Sequence, residues 1–199
     1  MKDYFEIKDV LAREVYNLEG AKTIEAEVTL DDGTVGRASV SAKMVDGKEA
    51  SLAAENVNTE LAEALLGMNA LDQVYIDSVI MDVDGDEGKR LGTNATLAVS
   101  FAVAKAAAAS AGLSLYNYIG GVNAKHVPEL VEDTPEKRGQ KWYATLTELL
   151  DDIGNYEIIC GGNTEETIMA HVAVAAGIKK MVARPNVQNE LLRIKEELE

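Results

Sequence analysis

The apolar positions of this chain follow two rhythms. In "TIEAEVTL", Ile24, Ala26, Val28 and Leu30 alternate with Thr23, Glu25, Glu27 and Thr29, the period of a strand with one buried face. Asp31-Asp32-Gly33 follows as a hairpin turn into a second strand from Thr34 onward. The opening "YFEIKDVLAREVY" reads as a third strand of the same sheet. From Ala50 the spacing becomes helical. "EASLAAENVNTELAEALLGM" predicts a helix closed by Gly67, and "NALDQVYIDSVIMDVDG" one capped by Asn69 and stopped by Gly85. "TNATLAVSFAVAKAAAASAG" predicts a third, from a Thr93 cap to Gly112, whose near absence of charge marks it as central. A short "LSLYNYIGG" closes the unit.

The next stretch, "NAKHVPELVEDTPEKRGQ", holds two of the three prolines and mixed charge, and residues 126–140 are expected as a linker. Beyond it, "KWYATLTELLDDIG", "NYEIICGG", "NTEETIMAHVAVAAGI", "KKMVAR" and "PNVQNELLRIKEELE" alternate short apolar runs with helices, the βα rhythm of a parallel sheet. The expected fold class is therefore α+β: a three-stranded antiparallel sheet with helices over residues 1–125, then a short βαβα segment over residues 141–199. Two or three such units are too few to close a barrel.

Composition narrows the function more than the fold. A chain of 199 residues is long enough for one sizeable core or for one domain plus a small appendage, and its 47% hydrophobic and 27% charged residues are those of a globular rather than a disordered chain. Its 19 basic and 34 acidic side chains leave a net charge of −15, which repels nucleic acid and anionic membrane surfaces. Cys160 is the single cysteine, so no intramolecular disulfide forms. With His126 and His171 the only histidines, no Cys/His zinc site can be assembled. A carboxylate site for a hard cation stays open in so acidic a chain, although "MDVDGDEG" lacks the full calcium-loop pattern and reads as a solvated cluster. The opening "MKDYFEIKDV" is acidic where a signal peptide is apolar. The longest apolar run is Ala- and Ser-rich and broken by Lys105, a buried helix rather than a membrane span. The expected address is the cytoplasm.

One stretch carries candidate chemistry. "YEIICGGNTEET" runs from an apolar strand into a double glycine and a helix start, where free backbone N–H groups and the helix dipole favour an anion. Gly161, Gly162, Asn163 and Thr164, with Lys179 further on, are the candidate anion-binding residues. The competing readings are a purely structural turn and Cys160 as a nucleophile. A nucleophilic cysteine needs a neighbouring base, and no histidine is close to Cys160 in sequence. Glu165 and Glu166 in the first helical turn satisfy the dipole themselves and repel a phosphate dianion. His171, on an Ala-rich helix, reads as a surface or partly buried structural residue.

Two separated blocks resemble the enolase family. "MKDYFEIKDVLAREV", "EVTLDDGTVGRASV", "ENVN", "GMNALDQVYID" and "LGTNATLAVSFAVAKAAAASAGLSLYNYIGGVNAK" are similar to its N-terminal domain, and "TLTELLDDI", "NTEETIMAHVAVA" and "NELLRIKEELE" to the last units and closing helix of its β/α barrel. The resemblance implies an enolase-like N-terminal domain followed by a remnant of the barrel's end. In the family the magnesium-binding carboxylates and the general-acid glutamate lie in the barrel portion with no counterpart here. The Ser-Gly-Ala-Ser-Thr-Gly lid loop is likewise replaced by "SAKMVDGKEASLAA".

Other departures point the same way. The resemblance places a catalytic lysine ahead of "TLTE" in a Lys-x-Asn-Gln pattern. Counting back from Thr145 reaches Gly139, and the nearest lysine, Lys141, is two positions off, about 6–7 Å along a strand and out of hydrogen-bond reach. Where the family holds substrate phosphate with Ser-His-Arg-Ser-Gly-Glu-Thr, this chain has Cys160-Gly161-Gly162-Asn163-Thr164, and Lys179 or Lys180 stands near the family's late substrate-binding lysine. The resemblance thus implies a non-catalytic enolase-like protein, with no catalytic or metal-binding residues and no cofactor. As a family usually dimeric through its N-terminal domain, it also implies self-association or pairing with a full-length enolase. The family's Asp-Ser-Arg-Gly-Asn-Pro-Thr near that contact is "NLEGAKT" here, without the arginine. The alternatives are a magnesium-dependent phosphopyruvate hydratase, in which case magnesium is the cofactor, and a small anion-binding module.

Overall fold

The computed structural model describes residues 4–42, 47–85, 89–132, 143–153 and 167–199, together with the backbone of 158–160. The first unit opens with three antiparallel strands in the order β1 (Ile7–Tyr16), β2 (Lys22–Leu30), β3 (Val35–Val40). The alternation in β2 decides its faces: Ile24, Ala26, Val28 and Leu30 are buried, while Glu25, Glu27 and Thr29 are half-buried on the other side. Gly33 closes the hairpin with φ +85° and its N–H donates to Leu30 O at 2.9 Å. On the outer face Glu27 accepts from Arg13 of β1 and from Arg37 of β3, the latter at 2.5 Å. The two guanidiniums, Arg37 first, hold the Glu27 carboxyl below the usual carboxylate range.

Helices cover the inner face. α1 (Ala50–Asn56) passes through a π-helical turn (Val57–Leu61) into α2 (Ala62–Leu65). The widened turn presents Asn58, whose side-chain amide accepts from Ala12 N at 2.6 Å and donates to Ala12 O at 2.9 Å. That pairing satisfies the backbone on the outer edge of β1, where an open edge would invite another strand. α3 (Gln73–Asp84) begins at Asp72, whose carboxylate accepts from Tyr75 N at 3.3 Å. Asn69, expected as the cap, instead accepts from Phe5 N at 3.0 Å and ties the helix approach to the sheet.

α4 (Thr93–Ser110) is the central helix that its lack of charge implies, and its first residues down to Ala104 are all buried. Its cap position is Gly92, with φ +103°, one residue before the expected Thr93. Small residues let α4 lie close on the sheet: a Cβ at Gly36 of β3 would stand 2.1 Å from Ala102 O and 2.5 Å from Ala106 N. Lys105, the one charge in this run, donates to Arg37 O at 2.8 Å and so serves β3. α5 (Leu115–Gly120) and a 3-10 turn (Gly121–Asn123) end the unit. No single helix among the described residues is long and apolar enough to cross a membrane.

The second unit is a three-stranded parallel sheet in the order β4-β6-β5, from β4 (Glu129–Leu130), β5 (Ile158–Cys160) and β6 (Lys180–Val182). The segment expected as a linker, residues 126–140, therefore supplies a short strand at its start: Glu129 N donates to Lys179 O and Val131 N to Met181 O. α6 (Leu146–Ile153), α7 (Ile168–Ala175) and α8 (Pro185–Leu198) accompany the sheet. Val187, Leu191 and Ile194 form the buried stripe of α8, at the i, i+4, i+7 spacing of one helix face. α6 packs on α3 and α4, and α7 on α5, so the second unit rests on the first. At the α5–α7 crossing Gly120 is necessary, because a Cβ there would lie 2.6 Å from Ala175 O.

Candidate functional site

Of the residues expected to bind an anion, only Lys179 lies among the described residues. Gly161, Gly162, Asn163 and Thr164 follow the C-terminal end of β5 and lie outside the described residues, as does Lys141. Lys179 is exposed and stands one residue ahead of β6. The register aligns Ile158 with Lys180 and Cys160 with Val182. Lys179 therefore sits at the N-terminal end of the paired strands β5 and β6. Three residues of strand span about 10 Å. Parallel sheets build ligand sites beyond their C-terminal ends, and Lys179 stands at the opposite end of β6.

The concentrated polar chemistry lies elsewhere, on the seam between the two units, and sequence patterning missed it. Asp77 of α3 is buried, and each of its carboxylate oxygens meets two donors. Oδ1 accepts from Gln73 Nε2 at 2.9 Å and from Ser100 Oγ of α4 at 2.7 Å. Oδ2 accepts from the backbone N–H and the hydroxyl of Thr147 in α6, at 2.9 and 2.6 Å. Ser100 Oγ also accepts from Leu146 N at 2.9 Å. The first turn of α6 thus receives an anion from its own chain, matching its free N–H groups and dipole.

The local sequence of α6 prepares that contact. Thr145 and Glu148 stand at capping-box spacing. Thr145 Oγ1 accepts from Glu148 N at 3.3 Å, and the Glu148 carboxylate accepts from Ala144 N at 2.7 Å. With both oxygens filled by donors, Asp77 is a staple and has no lone pair set aside for a substrate proton.

A second cluster surrounds His171 of α7. Its ring stacks on Tyr116 of α5 with centroids 6.0 Å apart and an interplanar angle of 16°. Nε2 lies 3.1 Å from Glu190 Oε1 of α8, and Tyr116 Oη donates to Glu197 Oε2 at 3.0 Å. Nδ1 is buried with no hydrogen-bond partner. Burial pushes the imidazole pKa down, against the opposing pull of Glu190. The neutral tautomer with Nε2–H donating to Glu190 fits this setting, leaving Nδ1 as an unpaired acceptor rather than an unpaired donor. His171 is the partly buried structural residue that its Ala-rich helix implies. The pairing of α7 with α5 and α8 that gives it partners is long-range and has no local signal.

At the far edge of the seam Arg184, the cap residue of α8, donates to Glu19 Oε1 in the β1–β2 turn at 2.7 Å. The glutamate of this turn thus meets a cation from the second unit.

Comparison with known families adds one match: residues 41–119 fit the family model described as "Enolase, N-terminal domain".

Proposed function

On the premise that this chain carries an enolase-family N-terminal domain, we propose that it is a non-catalytic enolase-like protein acting by association, with itself or with a full-length enolase. What supports this most is where Lys179 and Lys180 stand among the described residues of the second unit. Enolase chemistry takes a proton with a lysine and stabilises the resulting enediolate with a carboxylate-held metal. Lys179 and Lys180 enter β6 at its N-terminal end, away from the strand ends where such a site is built. The described residues beyond the C-terminal ends of β4 and β6 are Val131-Glu132 and Ala183-Arg184, and Arg184 is paired with Glu19. The second unit resembles the end of the barrel in sequence and here serves as a cover docked on the first.

Association follows from the enolase-type domain itself, which in the family pairs subunits. The substitution of Glu19 for the family's arginine changes the charge offered at that contact, and so the choice of partner. Sedimentation equilibrium of the purified chain, alone and mixed with a purified full-length enolase, tests this half of the proposal. A dimer, or a mixed complex with the enolase, is the expected result. A species that stays monomeric in both conditions overturns it.

A further inference from the structure

The two units meet through a cluster in which one group cannot accept a proton at low cost. His171 is held by Tyr116 from α5 and Glu190 from α8, and feels the charges of Glu197 from α8 and Lys105 from α4. Arg193 shares Glu190, donating to its Oε2 at 2.7 Å. A proton arriving at neutral His171 goes to Nδ1, the nitrogen without a partner. There it creates a buried N–H donor with nothing to receive it, and the positive charge of Lys105 opposes it further. Glu190, already divided between His171 and Arg193, compensates only on the Nε2 side.

We propose that His171 is a proton-operated latch on this seam. Neutral, it holds α7 and α8 against α5; on taking a proton it releases them and opens the apolar surface between them. Leu115 and Tyr116 of α5, Ala170 and Val174 of α7 and Leu191 of α8 are among the buried residues of these helices. The latch does not depend on whether the chain turns over a substrate. It makes the docking of the second unit sensitive to mild acid, in a pH range where Glu27 on the sheet remains ionised.

The sign follows from linkage. The latched histidine has a lowered pKa, so the released state binds more protons, and acid favours release. At pH 5.5 a released histidine with its ordinary value near 6.5 raises the opening equilibrium by at most about tenfold. Amide hydrogen exchange of the full chain at pH 7.5 and 5.5, corrected for intrinsic rates, reads this opening. NMR titration of the two histidines reads the proton itself, with His171→Gln assigning the resonance.

The expected result has three parts. His171 titrates below 6.5. Amides of α7 and α8 exchange faster at pH 5.5 while those of α4 do not, and His171→Gln abolishes that difference. In Glu190→Gln, which loses the carboxylate favouring the cation, the His171 midpoint falls further. A midpoint at or above 6.5, an unchanged midpoint in Glu190→Gln, or an equal pH response of α7 and α8 in His171→Gln overturns the proposal. The wild-type and Glu190→Gln titrations decide the matter if His171→Gln does not fold.

Discussion

Replacing Asp77 with alanine tests the seam most severely. The change removes an acceptor from Gln73, from Ser100 and twice from Thr147. The Ser100 hydroxyl and the Thr147 N–H are the two donors left inside the packed interface. A buried donor stripped of its partner costs about 1–3 kcal/mol, and more where the lost partner was charged. The α6 N-terminus also loses the anion that offsets its dipole, worth up to about 1 kcal/mol. Together these give about 2–7 kcal/mol for Asp77→Ala, a large part of the roughly 5–15 kcal/mol that holds a domain together.

Asp77→Asn keeps the shape and one acceptor but turns an amide NH2 toward existing donors on one side, and costs about 1–3 kcal/mol. Urea unfolding gives the free energies, and hydrogen exchange shows where they act. α6 (Leu146–Ile153) loses protection first, with the sheet β1-β2-β3 affected only through global unfolding. A loss below about 1 kcal/mol for Asp77→Ala, or unchanged protection in α6, refutes the argument that this carboxylate joins the two units.

Three further outcomes follow from the geometry. Gly36→Ala drives a methyl group into Ala102 O and Ala106 N, and thermal unfolding should show a loss of about 1–3 kcal/mol as sheet and helix part. Glu27 has a lowered pKa, so the stability it contributes is present above its ordinary value near 4.5 and is lost as pH falls through the folded value. With both arginines exposed the effect stays below about 1 kcal/mol, and Glu27→Gln should flatten that acid phase in a pH series of melting temperatures. His171 predicts a separate phase at higher pH: stability falls as pH drops below about 6.5, and the phase disappears in His171→Gln.

Much of the first unit was legible in the sequence because its signals are local. The alternation of Ile24 to Leu30, the Asp31-Asp32-Gly33 turn and the uncharged run of α4 each state a period or a break directly. The cap positions were less legible. Asn69 and Thr93 have the chemistry of caps, but Asn69 is drawn to Phe5 N across the fold, and the helices start at Asp72 and Gly92 instead. β4 could not be seen at all, since two exposed residues carry no period and become a strand only by pairing with β6.

The site was less legible than the fold for the same reason. The position of Lys179 relative to the glycine turn depends on the register between β5 and β6. The Asp77 staple joins groups from α3, α4 and α6 that no local pattern links. The turn at Gly161–Thr164 lies outside the described residues, so the expectation of an anion there stands on its sequence alone.

The central claim is that the enolase-like chain does not catalyse the enolase reaction, and turnover tests it most directly. The purified protein is assayed for magnesium-dependent formation of phosphoenolpyruvate from 2-phosphoglycerate, beside a full-length enolase and after removal of any contaminating enzyme. The account predicts no rate above background at any magnesium concentration. Turnover that persists and scales with the concentration of this chain contradicts it, and places a working base and metal site in residues assigned here to structure.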